Sequence, residues 1–311
     1  WVANPNNTFS ETKVFHDQIE TTSIVYNLIL KTHFAIFGYD VLTGRLLSSF
    51  FGILGIISII YIDRSLNKKN NAYLFSSFLV STNIFLIGYS QELRNYTLWF
   101  FITSLSLFFF IKVIQNDKKR IYLLILLPIL LFNALIHPFG LIIFFAMSFY
   151  LFLELVFKKN FCVNTAIIFL IIFLISVFYY YNLFSITTTT DSDYYWFMKN
   201  PSLSFYSNFH FSNYFGSRLV GGVFLICFLY LIINNFSELI KTSHLRLFLI
   251  VVVFSYLLPI VFGYLFKPML LPRHTLWNLV PISLLFSSLL FNFEKKKIKY
   301  LIIFLLSFLT I

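Results

Sequence analysis

About ten apolar stretches follow one another along this 311-residue chain, near 42–62, 73–88, 96–114, 121–136, 139–157, 161–182, 216–233, 247–266, 274–292 and 299–311. Most are long enough to cross roughly 30 Å of hydrocarbon as a helix. Only 11% of the residues are charged, whereas a soluble domain carries about a quarter. The mean hydropathy of +0.83 agrees. The expected fold class is therefore all-α, a polytopic transmembrane helix bundle. The net charge of +11 would point to nucleic acid in a soluble chain. Here it has a nearer use, because Lys and Arg in loops set the orientation of membrane helices.

The charge alternates from loop to loop. Segments 64–69, 112–120, 158–159, 241–246 and 295–299 hold most of the Lys and Arg and are otherwise plain. By the positive-inside rule they face the cytoplasm. The opposite, extracytoplasmic side receives residues 1–40, the "YSQELRNY" junction, "IHPFG", segment 183–215 and "FKPMLLPRHTLW". Glu11, Asp17, Glu20, Asp40, Glu92, Asp191 and Asp193 all fall there. The resulting division is one membrane domain over 1–311: an outer loop 1–40, a first helix group 41–182, an outer loop 183–215 and a second helix group 216–311. Because residue 1 lies outside, at least one further span is expected before it. Abundant Phe, Ile, Asn and Lys hint at an AT-rich bacterial genome, which makes the expected location a bacterial inner (plasma) membrane. Cys162 and Cys227 both sit in apolar runs and signal neither a disulfide framework nor a metal site.

Within 20–38, Ser23, Asn27 and Lys31 recur every four residues among apolar neighbours. That spacing predicts a helix lying in the interface, with one polar stripe and a buried remainder. The aromatics of 183–215 fit anchoring at headgroup level, and stacking on sugar rings is the alternative. No internal repeat and no clear pair of broken helices of the transporter type is visible.

Several outer stretches carry a resemblance. "ANPNNTFSET", "IFGYDVLTGRLLSSFFGILG", "YSQELRNYTL", "IHPFG" and "PMLLPRHTLWNLVP" occur in this order and on one side. They resemble the outer motifs of bacterial polyprenyl-phosphate-sugar-dependent glycosyltransferases of the GT-C type. These are the relatives of dolichyl-phosphate-mannose protein mannosyltransferases often called family 39-like. The likeness runs over almost the whole chain. It implies a GT-C-like bundle and an inverting transfer of sugar from a polyprenyl-phosphate-linked donor to a glycan, lipid or protein acceptor outside the membrane. Membrane lipids are the other implied partners, and nucleic acid is not one. Three departures stand out. The family's first-loop Asp-Glu pair would fall upstream of Trp1, its "HPPLY" is here "TTSIVY", and its Tyr after Pro-Arg is His274.

The chemistry asks for a carboxylate to take the acceptor's proton and a cation to hold the leaving phosphate. Arg suits phosphate because its planar fork donates two hydrogen bonds at once. Glu92, Glu20 and Asp17 are the candidate catalytic acids. Arg273, Arg94, His137, His274, Tyr89, Gln91 and His16 are the candidate donor-phosphate or substrate-binding residues. Glu92 can serve as an acid, orient a hydroxyl or organise a divalent metal. Its bland alternative is a pairing with Arg94 that fixes helix ends. Arg273 can grip the donor phosphate or merely snorkel at a helix start. No spacing of His, Cys and carboxylates demands a metal, so no cofactor is fixed by the sequence and a divalent metal stays open. Two rival readings remain: a transporter or flippase of lipid-linked sugar, and a non-catalytic envelope-assembly protein.

Overall fold

The computed structural model describes residues 2–19, 24–67, 71–115, 119–158, 215–265 and 270–310, with a few more between 169 and 177. Every regular element among them is helical. In chain order these are α1 (Phe9–Ile19), α2 (Val25–Phe37), α3 (Val41–Leu66), α4 (Ala72–Ser81), α5 (Ile84–Tyr89), α6 (Tyr96–Gln115), α7 (Lys119–Ile136) and α8 (Gly140–Lys158). After the segment centred on 200 come α9 (Arg218–Asn234), α10 (Phe236–Lys241) and α11 (Ser243–Leu265). A 3-10 helix (Pro272–Asn278) then runs directly into α12 (Leu279–Asn292), and α13 (Lys296–Thr310) closes the described chain. Among the described residues four segments are long and apolar enough to cross a bilayer: Val41–Leu66, Tyr96–Gln115, Ser243–Leu265 and Pro272–Asn292. Shorter apolar helices accompany them, and the chain is a multi-pass helical membrane protein.

The chain divides into two compact units. One comprises Trp1–Leu54 with Tyr89–Tyr194, the other Gly55–Gly88 with Tyr195–Ile311. In the first, α6 packs along α7, and α8 lies against both. Phe110, Phe144, Tyr150 and Phe169 are fully buried there and meet edge to face or tilted. In the second, α12 is buried along its length between α4, α9 and α11. Its polar residues bind helices together: Ser287 Oγ donates to Asp63 Oδ2 at 2.8 Å, and Asn67 Nδ2 reaches Asp63 Oδ1 at 2.5 Å and Ser288 Oγ at 3.0 Å. With lipid outside, such interhelical bonds replace the hydrophobic drive that holds a soluble core together.

Two expectations change. Stretch 73–88 is two helices, α4 and α5, because Asn83 Oδ1 accepts from the backbone N–H groups of Phe85 and Leu86 and starts a new helix. Helix α2 forms as expected, but Asn27 and Lys31 of its polar stripe turn toward protein, while Ser23 lies outside the described residues. Tyr26, Asn27, Leu30 and Phe34 are the buried side, whereas Ile36 and Phe37 are exposed. Lys31 Nζ bonds the Asn7 carbonyl and, at 3.2 Å, Thr12 Oγ1. Stretches 161–182, apart from the few residues named above, and 183–215 lie outside the described residues, Phe215 excepted.

Candidate functional site

The "YSQELRNY" segment is a tight turn between two helices. Tyr89 ends α5, residues 90–95 turn, and Tyr96 opens α6. Its backbone is strapped to one face of α3. Ser48 Oγ donates to the Glu92 carbonyl at 2.6 Å and Ser49 Oγ to the Ser90 carbonyl at 2.9 Å. The close approach depends on two glycines of α3. A methyl on Gly44 would lie 2.6 Å from Leu93 Cδ2, and one on Gly52 would lie 2.8 Å from Ser90 Oγ. Tyr26 of α2 adds its hydroxyl to Ser48 at 3.3 Å.

The C-terminal end of the turn is held from the other side. Asn95 is buried and donates to the Ile136 carbonyl at 2.8 Å. One turn into α6, the buried Trp99 donates through Nε1 to Asn133 Oδ1 at 2.8 Å. Asn133 Nδ2 in turn meets Ser106 at 3.2 Å and Thr103 at 3.4 Å. Trp99 also stacks on the His137 ring, 4.2 Å between centroids and 13° between planes. His137 is buried, and its Nδ1 accepts from the Phe139 N–H at 3.2 Å, which leaves the proton on Nε2. "YSQELRNY" and "IHPFG", 41 residues apart at Asn95 and Ile136, are thus one construction. Tyr89 meets Tyr96 edge to face at 5.0 Å, and Tyr96 lies 6.5 Å from His137.

On this frame Gln91, Glu92 and Arg94 are exposed. No ion pair joins Glu92 to Arg94 among the described residues, so the carboxylate is displayed and not spent on a structural pair. His16 and Asp17 lie within α1, whose start is a capping box: the Thr8 backbone N–H and hydroxyl both donate to Glu11 Oε2, at 2.6 and 2.9 Å. The Thr8 N–H is the main reason that the Glu11 carboxyl sits below the usual carboxylate range, with the Thr8 hydroxyl next. Glu20 lies outside the described residues.

Arg273 and His274 belong to the second unit, at the start of the 3-10 helix. Arg273 is exposed and His274 half-buried. The helix beneath them is fixed by Thr275 Oγ1 to the Pro272 carbonyl, Trp277 Nε1 to the His274 carbonyl, and Asn278 Nδ2 to Ser255 Oγ at 2.6 Å. Farther along the same helix, Ile282 and Ser283 line a cavity of about 270 Å³ with Leu79, Thr82, Asn83 and Phe224. The cavity opens where α4 breaks into α5. Among the described residues no group of three His, Cys, Asp or Glu side chains could hold a metal ion.

Sequence reasoning singled out the displayed residues and missed their supports: Asn95, Trp99 and Asn133, and Gly44, Ser48 and Gly52. The last three recur every four residues in "GRLLSSFFG", and that spacing was the available signal.

No family model matches the sequence, and no curated protein does. Two crystal structures of ArnT from Cupriavidus metallidurans are similar in fold. The apo structure has a TM-score of 0.59 at 11% identity, over 89% of this chain and 50% of that one. The structure bound to undecaprenyl phosphate has a TM-score of 0.58 at 12% identity, over 89% of this chain and 51% of that one. The chain therefore spans about half the length of the structures it matches. At this identity the likeness does not reach the narrower kinship with protein mannosyltransferases. It does show the architecture: the chain has the GT-C fold.

Proposed function

We propose that the protein is a membrane glycosyltransferase that moves a sugar from a polyprenyl-phosphate carrier to a cell-envelope acceptor on the extracytoplasmic side. The observation that carries this reading lies on one continuous helix. Arg273 stands exposed at its start, and residues 279–283 reach the apolar cavity roughly 12–17 Å farther along the axis. A cation for a phosphate followed by an apolar recess is the order of groups in a lipid phosphate. The ArnT structure bound to undecaprenyl phosphate, with the same fold, supports a carrier of that class.

In this reading Arg273 and His274 hold the donor phosphate, and the guanidinium neutralises the charge that grows as the sugar–oxygen bond breaks. Glu92, displayed on its strapped turn, takes or orients the proton of the acceptor hydroxyl. Arg94, Gln91 and Tyr89 complete the polar surface around that turn, His137 supports it from the buried side, and Asp17, Glu20 and His16 are contributed by the first outer loop. A single displacement inverts the anomeric centre and needs one base, so no covalent sugar–enzyme ester is formed. Hexosyl and pentosyl donors are both compatible with this scheme.

One feature favours a second reading, a transporter of lipid-linked sugar: the break at Thr82–Asn83 inside an apolar stretch, beside a cavity. One assay separates the two. Full-length protein in proteoliposomes is given radiolabelled polyprenyl-phosphate sugars, and label is followed into glycan, lipid and protein. Transfer that is lost in Arg273→Gln supports the enzyme. Label that crosses the bilayer still attached to its carrier supports the transporter.

A further inference from the structure

One surface of the second unit has no part in the proposed transfer reaction. Helix α13 is amphipathic, with Ile302 and Leu306 buried and Tyr300, Leu301, Phe304 and Phe308 exposed. The exposed face has a fixed order. Lys296, Tyr300, Phe304 and Phe308 follow at four-residue spacing, so they stack one turn above another on a single stripe. Phe304 and Phe308 are themselves stacked, 6.1 Å apart at 16°. From Lys296 to Phe308 the stripe runs roughly 18 Å.

Its upper end is crowded with positive charge. Lys295, Lys296 and Lys297 are exposed, and Lys299 donates to the Phe291 carbonyl at 3.1 Å while covering the Phe291 ring. These lysines stand at the N-terminal end of the helix, where the free N–H groups already make the potential positive. Of the acids nearby, Glu238 is held by Asn292 Nδ2 at 2.7 Å, which leaves the exposed Glu294 as the local counter-charge. A polar hollow beside Lys295 is lined by Lys241 but also by the carboxylates of Glu238 and Glu294, so its own charge is balanced and the excess lies on Lys296 and Lys297 outside it. An arrangement with several lysines at a positive helix end, above a ladder of exposed rings, is electrostatically incomplete without an anion.

We propose that this face of α13 binds one anionic phospholipid. Its headgroup lies on the exposed Lys295, Lys296 and Lys297, and an acyl chain lies along Tyr300, Phe304 and Phe308. The order of groups decides for a lipid over a free anion, because a soluble phosphate has no use for the apolar stripe. A peptide partner would have to be acidic at one end and apolar for the next three helical turns.

The test uses full-length protein with a photo-crosslinking amino acid at Phe304, in bilayers of phosphatidylcholine containing a minority of phosphatidylglycerol. Captured lipid is identified by mass. The expected result is preferential capture of phosphatidylglycerol, with the preference reduced at least about fivefold in the Lys295→Gln, Lys296→Gln, Lys297→Gln variant and weakened by added salt. All three side chains are exposed, so the variant keeps the fold, and its thermal unfolding should match that of the parent. Equal capture of the two lipids would overturn the proposal. So would capture of protein in place of lipid, or loss of the preference on adding inorganic phosphate at matched ionic strength.

Discussion

Replacing Gly140 by Ala tests the frame beneath the turn at Glu92. A methyl built on Gly140 lies 2.4 Å from the Asn133 carbonyl oxygen, 2.6 Å from its carbon and 2.8 Å from the Ala134 nitrogen. All three are backbone atoms, so no side chain can swing aside. Ordinary contact begins at 3.4 Å, so the end of α7 and the start of α8 must separate by about 1 Å, the order of movement that overpacking a core forces at about 1–3 kcal/mol. That movement reaches further. Asn133 holds the Trp99 N–H, and the Ile136 carbonyl holds Asn95, both at 2.8 Å. Stretching either bond by as much costs about 0.5–1.5 kcal/mol more. The total expected loss is roughly 1.5–4.5 kcal/mol, measured by denaturation in detergent. Because Asn95 and His137 would move with it, sugar transfer should fall more than stability alone explains. The control is Gly222→Ala in α9, where an added methyl meets nothing within 4 Å. If Gly140→Ala were as stable as Gly222→Ala, the argument that α7 and α8 are locked by direct backbone approach would be wrong.

Other expectations follow from the same geometry. Glu92→Gln should lower transfer by about a hundredfold or more while leaving the unfolding midpoint unchanged, since the carboxylate is exposed and has no ion-pair partner among the described residues; a fall in midpoint would return Glu92 to a structural role. Asp63→Ala strands the donors of Asn67 and Ser287 and should destabilise by about 3 kcal/mol, with a double-mutant cycle against Ser287→Ala showing strong coupling. Thr8→Ala removes the cap of α1 and should speed amide exchange there several-fold. Because the Glu11 carboxyl is held below its ordinary range, its share of that protection is complete above the unfolded pKa and is lost as pH falls through the lowered folded value. For orientation, a cysteine at Ser10 should label from outside intact cells and one at Lys296 should not.

What could be read from the sequence follows from which forces are local. Apolar length placed α6 to within a residue and left α3 and α11 each about a turn short at one end, and the outer motifs located the turn at 89–96. The break at 82–83 hid inside an apolar run because a single Asn supplied the whole signal, and capping is a property of one side chain. The inward turn of Asn27 and Lys31 on α2 was missed for a different reason. Periodicity gives the angle between polar and apolar faces and not which of them meets protein. Beside lipid the usual inference reverses, since exposed Ile36 and Phe37 can rest in hydrocarbon while Lys31 needs the carbonyl of Asn7.

The same reversal explains the site. Residues marked by their charge, Glu92, Arg94 and Arg273, are exposed, and the segments that carry them are positioned by neighbours. Those neighbours are small or amide-bearing: Gly44, Ser48 and Gly52 beneath the turn, Asn95 and Asn133 beside it, Asn278 and Ser255 under Arg273. Each is unremarkable in sequence because its role is a distance to a backbone atom on another segment. A substitution at Asn95 or Gly140 should therefore resemble one at Glu92 in its effect on transfer, and differ from it in also lowering the unfolding midpoint. That split between activity with stability and activity without it separates the frame from the groups it displays.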